Sequence, residues 1–276
     1  MKAKHLTGFS KYLHLTRSVI NSELLSLPPA FIWFLIRQMR YEKLTVIGNK
    51  SFINTTHTPL KSKSYKTGLK YFLNASRKIV HPLSVYVSVT NKCVFNCLYC
   101  SNFGSAELDL EGDIFHRLIK QIQDSGAACI GFTGGEPLLR NDLEQIIEAV
   151  DERSYALVFT SGHLLYRERA LALKNAGLSA IVISLDSHIS KEHNSQRNSE
   201  KAFDVAVSAI ESALAVGLYT AVSMVLSKNM LTAKKIYDFI SFVGKLGAHE
   251  IRILRPMPCG KLLRDDFEQF EESDLT

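Results

Sequence analysis

The sequence predicts an α/β fold: a parallel (β/α)6 partial TIM barrel preceded by a basic, partly helical N-terminal extension. Three observations predict it. From residue 83 onward, six short β-branched apolar runs alternate with amphipathic helical patterns. The runs are almost continuously apolar, as strands are when helices cover a parallel sheet. The residues suited to chemistry fall just after the runs, where parallel barrels gather their functional groups.

The first run, 83–90, leads into a loop rich in cysteine. Phe115, Leu118, Ile119 and Ile122 then recur at helical spacing, and Gly126 ends that helix. A second strand follows at 128–133. Asn141 is expected to cap a helix whose stripe is Leu143, Ile146, Ile147 and Val150. A third strand at 155–160 precedes a helix over about 166–176, closed by Gly177. The fourth strand, 180–185, is followed by a charged loop and then a helix carrying Phe203, Val207, Ile210 and Leu214. Gly217 stops it before a fifth strand at 218–226. Ile236, Phe239, Ile240 and Val243 mark the next helix, and 249–254 the sixth strand.

Composition narrows the function classes. The chain has 276 residues, 46% of them hydrophobic and 22% charged, which suits a folded globular protein. Residues 1–80 hold 14 Lys and Arg against Glu23 and Glu42 alone, while the rest is net acidic. The split predicts two parts, a basic extension over 1–81 and a catalytic body over 82–276. No run reaches the ~18–20 apolar residues of a membrane span. The apolar segment 27–36 is too short for one and lies too far in for a signal peptide. It reads as an amphipathic helix packed on the body, or as an interfacial helix resting on anionic lipid, since it holds Trp33 and precedes Arg37, Arg40 and Lys43. No nucleic-acid-binding module is recognisable, so that class is not expected.

Of five cysteines, Cys93, Cys97 and Cys100 crowd one loop with the spacing C-x3-C-x2-C. That distribution makes no disulfide framework and suits a reducing, cytoplasmic setting. Thiolates favour zinc, copper(I) or iron–sulfur clusters. Three of them can hold three irons of a [4Fe–4S] cube and leave the fourth iron open for chemistry. Cys129 reads as core, and Cys259 as a lone buried thiol or as a residue near the barrel mouth that contacts a substrate or second cluster. The nine histidines show no metal-ligand spacing, and His188 and His193 are expected to be exposed.

With Gly134-Gly135-Glu136-Pro137 placed one β/α unit after the cysteine loop, residues 82–260 resemble the radical S-adenosylmethionine (radical SAM) superfamily. The stretch from Ser184 through Arg197 to Phe203 is similar to the branch of molybdenum-cofactor-biosynthesis and peptide-modifying enzymes. The resemblance implies an enzyme in which Cys93, Cys97 and Cys100 bind a [4Fe–4S] cluster and S-adenosylmethionine chelates the fourth iron. Reductive cleavage of the sulfonium would give methionine and a 5′-deoxyadenosyl radical that abstracts a substrate hydrogen. An electron donor such as flavodoxin or ferredoxin is implied, and a substrate that is a peptide or small metabolite.

The resemblance also assigns S-adenosylmethionine contacts. Tyr99 would lie near the adenine. Gly134 and Gly135 would let the backbone approach the ligand, and Glu136 would accept from its ammonium rather than cap the next helix. Ser184 and Arg197 would hold ribose and carboxylate, the latter through two hydrogen bonds. Ser161, Asp186 and Asn229 are weaker candidates, Asp186 having an alternative role within its own turn. Relatives in this branch continue into a cysteine-rich extension. Here an acidic stretch, 265–276, stands in that place, reading as a linker or a helix beginning, so the chain is expected to be either minimal or shortened. Two further readings remain: an enzyme working on lipid at a membrane surface through residues 1–80, peripheral to the membrane, and a non-catalytic metal-binding protein.

Overall fold

The computed structural model describes residues 3–19, 27–104 and 109–263, so segment 265–276 lies outside the described residues. The N-terminal part contains β1 (Lys4–Leu6), α1 (Gly8–Val19), α2 (Pro29–Gln38), β2 (Leu44–Ile47), β3 (Lys50–Phe52) and α3 (Lys63–Ser76). β1, β2 and β3 form a small antiparallel sheet. α2 starts on Pro29, whose fixed φ and missing N–H suit a first helical position. Trp33, Phe34 and Ile36 are exposed on it, while Ile32 packs with Leu27 and Leu69.

The body follows as β4 (Ser84–Thr90), α4 (Gly112–Asp124), β5 (Cys129–Gly134), α5 (Leu143–Glu148), β6 (Tyr155–Thr160), α6 (Arg167–Asn175), β7 (Leu178–Ser184), α7 (Ser190–Arg197), α8 (Ala202–Val216), β8 (Tyr219–Val225), α9 (Ala233–Leu246) and β9 (Glu250–Leu254). The six strands β4 to β9 pair in sequence order, every pair parallel. β4 and β9 remain as edges, so the barrel is partial and open on one side.

Strand alternation sorts the side chains onto two faces. Ile130, Phe132, Val158, Ile181, Ile183 and Val222 face outward beneath helices that contribute Phe115, Ile119, Ile146 and Phe239. Full burial of such a side chain contributes about 1.5–3 kcal/mol. Cys129, Tyr155, Leu157, Val182 and Tyr219 face inward, and Ile47 and Phe52 of the small sheet insert among them. Phe52 stacks on Tyr219 at 4.5 Å between ring centroids. The basic extension therefore plugs the N-terminal end of the barrel. Beyond β3 the chain is tied to β9: Thr55 N–H and Oγ1 donate to the Glu250 carboxylate at 2.7 and 2.8 Å.

Two local expectations are corrected. Asn141 does not cap α5; Asp142 holds that position without a side-chain cap bond, and its carboxylate pairs with Arg140 instead. The charged loop after β7 is a helix, α7, which buries His193 and Arg197 and ends on Asn198 at φ 51°. By contrast, α8 ends where glycine placed it. Gly217 has φ 73°, and Leu218 N–H donates to Ala213 O in the pattern of a Schellman cap.

Candidate functional site

The cysteine loop leaves the C-terminal end of β4 and is fastened on several sides. Thr90 Oγ1 donates to Asp109 at 2.7 Å and accepts from Lys92 N–H at 3.1 Å. Leu98 N–H donates to Gln196 O of α7, and Lys261 N–H donates to Cys100 O. The Gly134-Gly135-Glu136 turn grips the loop's base: Gly135 N–H reaches Thr90 O at 2.7 Å, and Glu136 N–H reaches Lys92 O at 2.8 Å. A Cβ on Gly134 would lie 2.2 Å from Thr90 O, and one on Gly135 would lie 2.1 Å from Lys92 O. Gly134 also has φ +131°. These glycines are thus demanded first by the loop's own backbone, not by a ligand.

Around the loop lies a cleft of about 310 Å³ at the C-terminal ends of the strands. Cys93, Cys97, Tyr99 and Cys100 line it, together with Gly134, Gly135, Ser161, Ser184 and Arg197 from the neighbouring strand ends. Nine of the residues singled out in the sequence therefore converge on one place. Cys93 is exposed, Cys100 intermediate and Cys97 buried. Burial pushes the Cys93 and Cys97 thiols up, and at Cys97 the Arg197 guanidinium pulls the other way. Arg197 Nη1 lies 3.6 Å from Cys97 Sγ.

Asp186 and Glu136 are placed differently from the other candidates. Neither lines the cleft; both sit beneath it, with 0% and 1% exposure. Asp186 accepts from Arg197 Nε at 2.8 Å, from Val225 N–H at 3.0 Å and from the Tyr99 hydroxyl. Burial alone would raise its carboxyl, yet the Arg197 charge holds it well below the usual carboxylate range. Arg197 in turn lies over the Tyr99 ring at 5.3 Å. With Nε committed to Asp186, Arg197 offers the cleft only its Nη side, so a two-bond clamp through Nε is closed.

Glu136 Oε1 accepts from Leu138 N–H at 3.1 Å and Thr160 Oγ1 at 2.6 Å. Its Oε2 accepts from Ser161 N–H at 2.8 Å and from the Ser161 hydroxyl. It does cap the following 3-10 turn, Pro137–Leu139, and it locks the ends of β5 and β6 together. Its carboxylate thus accepts four hydrogen bonds from the protein.

His193, expected to be exposed, is 1% exposed, and its Nδ1 accepts from Asp186 N–H at 3.0 Å. His188 is half-buried. Sequence reading missed the burial of His193 because α7 is polar around its whole circumference. Of the two readings of Cys259, the structure favours a place near the mouth over a lone buried thiol: it is only partly buried and lines the cleft. The segment carrying it folds over the loop so tightly that a Cβ on Gly260 would lie 2.3 Å from Cys100 O. Asn229 falls in the 3-10 turn Lys228–Met230, and its side chain lies outside the described residues.

The donor set fits a [4Fe–4S] cluster with three protein thiolates. All three thiols face one cleft, and a guanidinium stands beside the buried one to offset negative charge. Among the described residues, no three of His, Cys, Asp and Glu converge as ligands of one ion must, whereas a cube binds each thiolate through a different iron.

Comparison with known proteins agrees with this geometry. Residues 87–240 match the model of the radical SAM superfamily. A probable GTP 3′,8-cyclase of Saccharolobus islandicus is 32% identical over 199 residues, covering 67% of this chain and 62% of the relative. The corresponding protein of Methanocella arvoryzae is 37% identical over 139 residues, covering 49% and 44%. The chain thus spans less than two thirds of the length of these curated relatives. Among solved structures, Streptococcus suis SuiB superposes with a TM-score of 0.61 at 16% identity, covering 75% of this chain and 47% of SuiB. The peptide-bound anSMEcpe with bound AdoMet gives 0.59 at 16% identity, covering 70% and 57%. The enzymes of this superfamily use a [4Fe–4S] cluster and S-adenosylmethionine. By its matched core and its cysteine loop, the chain belongs to the radical SAM superfamily.

Proposed function

We propose that Cys93, Cys97 and Cys100 hold a [4Fe–4S] cluster, and that the cleft beside them binds S-adenosylmethionine for abstraction of a hydrogen from a separate substrate. The observation that carries this reading is the convergence of three thiols, two strand-end serines and the Nη side of Arg197 on one cleft. When bound, the cluster supplies the electron that cleaves the sulfonium and releases a 5′-deoxyadenosyl radical. The protein's part is placement. Arg197, fixed by Asp186 and stacked on Tyr99, brings positive charge to the thiolates and to a ligand carboxylate. Ser184 offers a hydroxyl to a ribose, and Ser161 is oriented by Glu136. The electron comes from a small carrier such as flavodoxin or ferredoxin.

The experiment is anaerobic reconstitution with iron and sulfide, reduction, and chromatography of the products. Wild-type protein should release 5′-deoxyadenosine and methionine. A loaded, reduced protein that leaves S-adenosylmethionine intact would refute the reading.

A second reading has its own observation. Trp33, Phe34 and Ile36 are exposed on α2, and Arg37 stands 5.7 Å over the Trp33 ring. Among the described residues no helix is long and apolar enough to cross a membrane. An exposed aromatic helix beside basic side chains suits an enzyme that works at an anionic membrane surface. Sedimentation with phosphatidylglycerol vesicles at low salt should carry the protein down, and phosphatidylcholine vesicles should not. Equal recovery in both supernatants would remove this reading.

A further inference from the structure

Between α1, α2, α3 and the N-terminal ends of β4 and β5 lies a second cavity, of about 330 Å³, remote from the cysteine cleft. Leu15, Ile32, Ile53, Leu60, Leu69 and Phe72 are among its apolar lining, and Thr16, Thr56, His57 and Thr58 add uncharged polar groups. Among the described residues, no Lys, Arg, Asp or Glu side chain lines it. A cavity of that character gives water few partners and favours hydrocarbon.

Tyr12, Thr16, Ile36 and Thr56 both line it and reach solvent, and the two large side chains among them mark its mouth. Ile36 is 47% exposed and Tyr12 is 37% exposed. Both stand on the helices that also expose Trp33, Phe34, Leu13 and Phe9. Arg37 and Arg40 follow within the same turn of chain, and Arg40 lies 5.5 Å over the Tyr41 ring. The entrance thus joins an apolar interior to an aromatic and cationic rim.

The wall is held in place from inside. Lys11 is 4% exposed, and its Nζ donates to Met39 O at 2.8 Å, Arg40 O at 3.1 Å and Glu42 O at 2.8 Å. A buried ammonium satisfying three carbonyls at the end of α2 fixes that helix against α1. At the far end, Ser84 and Cys129 line the cavity, and Cys129 belongs to the inward face of the barrel. The cavity therefore runs from an exposed aromatic rim to the floor of the catalytic barrel.

We infer that this cavity takes a hydrocarbon chain of an anionic membrane phospholipid, whose headgroup is held by the basic rim of α2. The inference rests on the membrane-surface reading and gives it a ligand class. Charge complementarity selects the anionic lipid, since the extension is strongly basic, and the uncharged lining selects the chain.

The full-length protein should be titrated in solution with cis-parinaric acid, a fluorescent polyene chain, and the probe then displaced with phosphatidylglycerol. Gly68 faces the cavity from α3, and a Cβ there meets its nearest neighbour at 3.5 Å, an ordinary contact. Gly68→Leu should therefore fill the space without backbone strain and weaken probe binding at least tenfold. Should that variant fail to fold, Ile36→Trp at the mouth gives the same readout. Trp33→Ala should lower vesicle binding and leave probe affinity within about twofold. An unsaturable probe signal in wild-type protein, or equal affinities in wild type and the filled variant, would overturn the inference while leaving vesicle binding to stand or fall separately. Probe binding without any affinity for phosphatidylglycerol vesicles would overturn the membrane source.

Discussion

A carboxylate with no solvent exposure has to be fully partnered, and Asp186 is: Arg197, Tyr99 and the Val225 N–H all donate to it. Removing the carboxylate would strand the Arg197 charge in a buried site. Asp186→Ala should therefore cost about 3–5 kcal/mol of stability, as breaking a buried ion pair does. Urea unfolding of the metal-free protein measures this, and a loss under about 1 kcal/mol, typical of an exposed pair, would show that the site is wetter than described. Tyr99→Phe removes one hydroxyl donor and keeps the ring beneath Arg197. It should cost about 1.5–3 kcal/mol, as loss of a bond to a charged group does, and leave cluster content unchanged, with a matched iron assay as the check. Glu136 teaches a related lesson. Its sequence position beside two glycines suggested a ligand contact, but its oxygens are filled by Thr160, Ser161 and Leu138. Such saturation depends on loops distant in sequence, so no local pattern announces it.

At the scale of elements, the Gly134–Gly135 turn is the joint between the second strand and the cysteine loop. Gly134→Ala would add a Cβ 2.2 Å from Thr90 O at a φ of +131°. The loop must then move, and the variant should bind less than half the iron of wild type after reconstitution, measured by metal analysis. Full loading would mean the joint is softer than its contacts imply. The six strands and the outer helices were legible because burial on both faces leaves continuous apolar runs, and because helical stripes such as Phe115, Ile119 and Ile122 face one core. α7 was not legible. Its sequence, Ser-Lys-Glu-His-Asn-Ser-Gln-Arg, has no apolar stripe, and it holds together through buried polar contacts of His193 and Arg197. The small sheet β1–β3 was equally hidden, since strands of three or four residues carry too little alternation to register.

At the scale of the molecule, the barrel has chemistry at one end and a plug at the other. Charge counting alone marked off a basic extension but not its docking, because it records side chains that stay in water and not the Ile47 and Phe52 that enter the barrel. The plug end also has a pH signature. His249 is buried beside Tyr219 and faces His5 at 5.8 Å between rings. Burial, then the His5 and Lys43 charges, lowers its pKa from 6.5 to about 4. Between those values the unfolded chain binds a proton that the folded protein refuses. Stability should consequently fall as pH drops from 6.5 toward 4, by up to about 3 kcal/mol from this group, with no further loss below. Urea melts of wild type and His249→Gln across that window should diverge in slope, the variant being flatter. Parallel slopes would assign the acid sensitivity elsewhere.

The most direct measurement is made on the anaerobically reconstituted, dithionite-reduced protein mixed with S-adenosylmethionine. Wild type should carry about four irons and four sulfides per chain and form 5′-deoxyadenosine and methionine in equal amounts, and Cys93→Ala, Cys97→Ala and Cys100→Ala should each form none. A reduced, fully loaded wild type that returns its S-adenosylmethionine uncleaved, or a cysteine variant that cleaves it as well as wild type, would contradict the assignment of this loop.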